Sequence, residues 1–421
     1  SGNGNEAVEW IVYNVLKSAA TETEQTSAFL GNSTIQRQNI ENVTFVSNIP
    51  ETVFNETTGQ YVDSTAWDVS ARQDKSIIAW YETQANGALK VYIGSNHEIF
   101  ANQDSSYLFN YIGSADICTA TETITNINLL NVSSATNMRY MFKHCGYNAM
   151  TSLDLGDKFD TSNVTNMDGM FRDCGCTAMT SLNLGNKFDT SSVTNMNMMF
   201  MDCGYTAMTS LNLGDKFDTS SVTNMNVMFA NCGYTAMTSL DLGDKFDTSN
   251  VTLMETMFLN CGYTAMTSLN LGDKFDTSKV TNMQFMFTGC GYTAMTSLDL
   301  GDKFDTSNVT DMQYMFKKCG YTAMTSLDLG DKFDTSNVTN MGAMFSECGA
   351  NAMTSLDLGD LFYTTSATNM ENMFERCGET AMTTLDLGPA FTKIADTNTN
   401  FMMNCGKSGA IIYAPEAIYK D

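Results

Sequence analysis

Cysteines stand at positions 145, 174, 203, 232, 261, 290, 319, 348 and 377, each 29 residues after the one before. An L-[DN]-L-G tetrad keeps the same interval from Leu153 to Leu385. A fixed period of about 20 to 50 residues means one supersecondary unit written many times, which cannot bury its apolar face alone and must stack on copies of itself. A propeller blade needs about 40 residues or more for its four strands, so a shorter unit leaves room for one strand and one further segment per coil.

One coil shows how the unit is built. In AMTSLDL, Met150, Leu153 and Leu155 have the M-x-x-L-x-L spacing of a leucine-rich-repeat strand. Strand side chains alternate, so Leu153 and Leu155 point inward while Ser152 and Asp154 point out. Gly156 breaks the strand and Phe159 packs back from the loop. In DTSNVTNMDGMFRDCG, Asp160, Ser162 and Asn163 are helix-start residues. Val164, Met167, Phe171 and Cys174 follow at helical intervals, and Gly175 is placed to stop the helix. The expected fold is therefore an α/β solenoid of 29-residue coils, with a parallel sheet on one face and short helices on the other.

The array has expected ends. Residues 1–115 read as an N-terminal cap domain of mostly-β or α+β type. It begins with a helix over about 6–19, where Val8, Ile11, Val12 and Val15 share a face. Strands follow over 40–48 and 66–93, with Gln84–Gly87 as a turn. The solenoid covers 116–405, with a shortened first coil over 124–148, and 406–421 forms a C-terminal cap strand. About eleven stacked strands give a rod roughly 50 Å long.

The DTSNVTNM stretch followed by MF and C, with L-x-L-D-L before it, resembles the repeat of BspA-like leucine-rich-repeat surface proteins. The leader resembles them too, in AWDVS at 66–70, SIIAWY at 76–81, VYIG at 91–94 and ANQDSSYLF at 101–109. The resemblance covers roughly residues 40–415. It implies a bacterial, cell-surface or secreted protein concerned with adhesion and with binding host or microbial partners, and no single shared ligand. The 29-residue coil carrying GDKF and CGYTAM departs from the family's shorter coils.

Composition excludes several classes. A net charge of −25 and a pI near 4.2 argue against nucleic acid and against anionic membranes. There is no run of about 18 apolar residues, so no membrane insertion is expected. No signal peptide is visible, and Ser1 reads as a processed start. The twelve cysteines are expected as buried thiols, because equivalent side chains in a stack point in parallel and do not meet bridge geometry. Cys176, which stands where other coils have tyrosine, is expected to be more accessible.

Catalytic constellations are missing, and the chain is not expected to be an enzyme. Only His97 and His144 occur, and no nucleophile elbow, phosphate loop or H-E-x-x-H is present. No cofactor is expected. Recurrent carboxylates such as Asp157 and Asp160 are compatible with calcium, but Lys–Asp pairing with Lys158 and helix capping is the favoured reading.

The coils differ after T-N-M, where they read DGMFRD, NMMFMD, NVMFAN, ETMFLN, QFMFTG, QYMFKK, GAMFSE and ENMFER. On a helical wheel, the second variable position and the one after M-F lie opposite the core. In the middle coils these are Met198, Met201, Val227, Ala230, Leu259, Phe285 and Tyr314, against Arg172, Lys317, Ser346 and Glu375 in flanking coils. An apolar patch with a polar rim is expected there, facing solvent as a partner-binding surface. Tyr205, Tyr234, Tyr263, Tyr292 and Tyr321 form a second candidate surface that stacks on sugars or packs on itself. The functional expectation is an extracellular adhesion or binding protein for protein or glycan partners. The alternative is a self-assembling subunit of a surface layer or filament, whose partner is another copy.

Overall fold

Short strands recur where the tetrads predict them. In the computed structural model, which describes residues 13–418, Ser152–Asp154 pairs in parallel with Ser181–Asn183, so that Leu153 lies beside Leu182. The same register joins Ser239–Asp241 to Ser268–Asn270, Ser297–Asp299 to Ser326–Asp328, and Ser355–Asp357 to Thr384–Asp386. Ser210 joins this face through a single bridge to Ser239. The strands are three residues long because the Asp or Asn that ends each one turns the chain. The carboxylate of Asp154 accepts the amide of Gly156 at 2.9 Å, and Gly156 takes a φ of +69°, open to glycine at no steric cost.

The core behind these strands is a set of columns. Leu153, Leu155, Phe159, Val164, Met167, Phe171 and Cys174 are all buried, as are their equivalents along the array. One phenylalanine column runs from Phe109 through Phe142, Phe171 and Phe200 to Phe374, with neighbouring rings near-parallel and, for example, 5.5 Å apart between Phe142 and Phe171. All twelve cysteines are free thiols, and burial pushes those of the ladder upward from the ordinary thiol value. Such thiols act as small apolar groups rather than nucleophiles.

The face opposite the strands corrects the expectation of short helices. Over 164–174 the backbone forms a chain of turns, not a helix. Alternate amides behave differently. Those of Met170, Arg172 and Cys174 reach back three residues to Met167, Gly169 and Phe171. Those of Met167, Gly169, Phe171 and Asp173 leave the segment and donate to Asn195, Asn197, Met199 and Met201 of the next coil at 2.8–3.0 Å. Left-handed φ values of +57° at both Gly169 and Asp173 turn the peptide planes so that this is possible. A copy of the segment alongside offers every second amide an acceptor, which a helix interior would have to find four residues back along its own chain. The expected helix-start residues do other work: Asp160 accepts the amide of Ser162, and Thr161, fully buried, donates to the carbonyl of Asp189 in the next coil at 2.8 Å.

At the N-terminal end, Ile40–Val46, Leu89–Gly94, Ile78–Thr83 and Trp67–Asp68 form a sheet that Ile124–Thr125 joins at its outer edge. The hairpin between Ile78–Thr83 and Leu89–Gly94 turns where Gly87 donates to Gln84, at the expected turn. The expected helix over 6–19 is corrected within its described part. Asn14–Val15 is a strand, paired in parallel with Ile99–Phe100, which in turn pairs with Leu130–Asn131. Val8, Ile11 and Val12 lie outside the described residues. The turn band also starts earlier than expected. Asp104 bridges Asn137, Phe109 stacks on Phe142 at 5.3 Å, and the amides of Ser105, Tyr107, Phe109 and Tyr111 donate into the coil beginning at 124. Residues 99–113 therefore supply a coil that the sequence places in the cap. At the far end, Ile411–Tyr413 pairs in parallel with Thr384–Asp386.

Candidate functional site

The turn band carries the residues that vary from coil to coil. Successive copies place them in columns, because each coil hydrogen-bonds to the next at a constant offset. One column holds Tyr140, Gly169, Met198, Val227, Thr256, Phe285, Tyr314, Ala343 and Asn372, and every member has a left-handed φ between +51° and +63°. A second holds Arg172, Met201, Ala230, Leu259, Thr288, Lys317, Ser346 and Glu375. Met198, Met201, Val227, Leu259, Phe285 and Tyr314 are half-buried rather than fully exposed, since the band packs column against column. Ala230 is only 1% exposed and is corrected from surface to interior. Phe285 and Tyr314 stack at 4.7 Å with an interplanar angle of 20°.

Charge is unevenly distributed along this band. Arg139 pairs with Asp168 at 2.9 Å and Arg172 with Asp173 at 3.3 Å near one end. Towards the other, Glu347 meets both Lys318 and Arg376 at 3.7 Å, and Arg376 reaches Glu379 at 2.8 Å. Between them the variable positions are apolar or carry uncharged amide or hydroxyl groups, with Asp202, Glu255 and Lys317 the charged exceptions among the described residues. Burial, with Asp173 nearby, raises the Asp202 carboxyl above the ordinary range, and Asn231 donates to it at 3.0 Å. Asn260 then donates to Asn231 at 3.2 Å, continuing an amide ladder.

The tyrosines form their own column beside the cysteines. Tyr205, Tyr234, Tyr263, Tyr292 and Tyr321 stack successively at 4.5–4.8 Å with interplanar angles of 4–7°. Their faces are turned to one another, and what remains outward is the ring edges. Burial and the neighbouring phenols push Tyr263 up to about 12. Cys176 interrupts the column and is half-buried; burial pushes its thiol up to about 11, despite a hydrogen bond with Tyr147. His144 is stacked on Tyr111 at 4.8 Å. Its burial, with Lys143 and Arg172 close by, pushes the imidazole down to about 4, so its 3.4 Å approach to Asp173 is a polar contact of a neutral ring.

The strand face offers acids without a constellation. Its loop lysines 158, 187, 216, 245, 274, 303 and 332 make no ion pair among the described residues, which corrects the expected Lys–Asp pairing. Asp160 is held below the usual carboxylate range: partial burial opposes this, but hydrogen bonds from Ser162 and the charges of Lys187 and Lys216 outweigh it. Among the described residues the acids form no cluster of metal-ligating side chains.

Parallel strand pairs at a 29-residue offset, continuous core columns and a hydrogen-bonded turn band define a tandem-repeat protein of almost wholly non-helical coils. The chain belongs to the family described as "Mycoplasma protein of unknown function, DUF285", which it matches over residues 115–233, 175–293 and 262–387, together well over half its length. No curated protein and no solved structure matches it.

Proposed function

We propose that this chain is a non-catalytic extracellular binding protein of the BspA-like kind. In this reading it is a rigid leucine-rich-repeat solenoid that presents its turn band to protein or glycan partners. The observation that carries the reading is the backbone under the variable column. A left-handed φ costs an ordinary L-residue about 1–2 kcal/mol, and a β-branched or aromatic residue there is uncommon. Gly169 and Asn372 occupy the same column, so low-cost residues fit this backbone, although Tyr140 shares it outside the middle coils. The middle coils nevertheless hold Val227 at +61°, Phe285 at +58° and Tyr314 at +63°. Backbone strain retained beside a half-exposed, nearly uncharged surface is expected where the side chains themselves are used.

Beads coated with the native chain or with a Val227→Asp/Phe285→Asp variant test this on immobilised extracellular-matrix protein and mucin glycan. Retention of the native beads alone supports the reading, and equal behaviour of the two removes it. The second reading, a self-assembling subunit of a surface layer or filament, draws on the stacked Phe285–Tyr314 pair, which a lateral contact between copies would cover. Light scattering across a concentration series separates the two. Assembly that Met201→Asp/Phe285→Asp abolishes supports the subunit, and monomers throughout support the binder.

A further inference from the structure

The step from one coil to the next differs across the section of the stack. The coils are near-copies and their equivalent rings lie near-parallel, so the distance between ring centres measures the step at each place. It is 4.5–4.8 Å along the tyrosine column. It is 5.4–5.6 Å along the phenylalanines behind the turn band, from Phe142 to Phe374. Along the loop phenylalanines from Phe188 to Phe391 it is 5.9–6.5 Å. Parallel strands pair at about 4.8 Å. Strands beside these loops cannot all keep that distance, and pairs that do must leave wider spaces between them.

Hydrogen bonds and backbone crowding agree on where the spaces fall. The amides of Leu155, Leu242, Leu300 and Leu358 donate to Asn183, Asn270, Asp328 and Asp386 of the next coil at 3.0–3.1 Å. Those of Leu184, Leu213, Leu271 and Leu329 have no acceptor among the described residues. A Cβ on Gly185, Gly272, Gly330 or Gly388 would stand 2.0–2.9 Å from the carbonyl oxygen of the glycine one coil earlier. On Gly214, Gly243, Gly301 or Gly359 it would meet nothing within 4 Å. The strand face is thus open at four junctions, those after Leu184, Leu213, Leu271 and Leu329, and clefts of 620, 730 and 690 Å³ lie over the first three. The turn band stays bonded across all four, as Phe200, Phe229, Phe287 and Phe345 donate to Met228, Met257, Met315 and Met373 at 2.8–2.9 Å.

Charge lies on the side that spreads. The columns that begin at Asp154, Asp157 and Asp160 hold twenty aspartates, against seven lysines in the column from Lys158, which puts about half of the net charge of −25 on this side. Like charges repeated at the loop step repel one another. We propose that the strand face is a hinged surface set by ionic strength. Repulsion between loops holds the four junctions open, the turn band and tyrosine column act as the hinge line, and screening or neutralising the aspartates closes the junctions. The device lies away from the variable band and does not depend on the function proposed for it.

Hydrogen exchange followed by NMR on the full chain tests this at two salt concentrations, since the screening length falls from about 30 Å at 0.01 M to about 3 Å at 1 M. In 0.01 M sodium chloride the amides of Leu184, Leu213, Leu271 and Leu329 should exchange about tenfold or more faster than those of Leu155, Leu242, Leu300 and Leu358. In 1 M salt that difference should shrink, with the band amides of Phe200 and Phe287 unchanged as controls. The variant Asp215→Asn/Asp244→Asn/Asp273→Asn, at three exposed loop positions, should slow Leu213 in low salt and leave Leu329 fast. Equal exchange of the two sets in low salt overturns the proposal, and so does a difference that either 1 M salt or the triple variant leaves unchanged.

Discussion

The two ends of the stack solve the same problem differently. Each terminal coil has a neighbour on one side and must do something with the hydrogen-bonding groups of the other. At the N-terminal end the solution is a buried cation. Arg37 is fully buried, meets the carbonyls of Tyr107, Leu108 and Asn110, and pairs with Glu22 at 2.5 Å. Burial lowers its pKa, with Glu22 opposing, but a guanidinium stays charged at any ordinary pH. At the C-terminal end Phe401 and Met402 are half-buried, Met403 is 41% exposed, and the last strand is apolar and open on one edge. One end is finished from within the described residues, and the other keeps groups suited to a further segment.

The largest test of this contrast is Arg37→Met. It leaves the carbonyls of Leu108 and Asn110 without a donor and Glu22 with the amides of Leu30 and Gly31 but no counter-charge, and breaking such a buried pair costs about 3–5 kcal/mol. Denaturant unfolding should show that loss. Hydrogen exchange should place it in residues 14–113 and not beyond the middle coils, because repeat stacks couple mainly through nearest neighbours. Loss spread evenly to the last coil would break the picture of an independent cap.

Glycine substitutions compare the interior with the open end. A Cβ on Gly262, at φ +53°, would lie 2.4 Å from the Cβ of Met266, whereas on Gly406 the nearest atom is 2.9 Å away, on Ala410. Gly262→Ala should cost about 2–3 kcal/mol and Gly406→Ala about 1 kcal/mol, given left-handed strain in both and a harder clash in one. Equal losses in thermal unfolding would mean the last coil is packed as tightly as the interior.

Acid should act first near the finished end. His144 has a folded pKa of about 4, below the ordinary 6.5, so between these values the unfolded chain binds more protons and stability falls as pH drops. Allowing for its partial exposure, the loss is about 1–2 kcal/mol between pH 6.5 and 4. His144→Gln should flatten that part of the stability–pH curve. The smallest effect has the opposite sign. Val227→Asn relieves left-handed strain and should stabilise by about 0.5–1 kcal/mol while weakening any partner bound at the band.

Much of the architecture was legible because repetition exposes it. Leu153, Leu155, Phe159, Val164, Met167, Phe171 and Cys174 were all placed in the core from spacing alone, and all are buried. The helix was not legible, since apolar residues at 164, 167, 171 and 174 mark one face equally well for a helix or for a chain of turns. The coil at 99–113 was readable in principle: Asp104, Phe109 and Gly113 stand 33 residues before Asn137, Phe142 and Gly146. Of the candidate band, the sequence located the columns. It placed Ala230 at the surface and had no signal for the left-handed backbone on which Val227 and Phe285 sit.

The amino-acid sequence by itself determined the period, the inward-facing residues and the free thiols, because each follows from side-chain chemistry repeated at a constant interval. The tertiary structure alone decided where the backbone amides go. A segment with a copy of itself on each side can send every second peptide outward, and no single coil read in isolation contains that information. From that choice follow the turn band, its direction, and the need for Arg37 at one end.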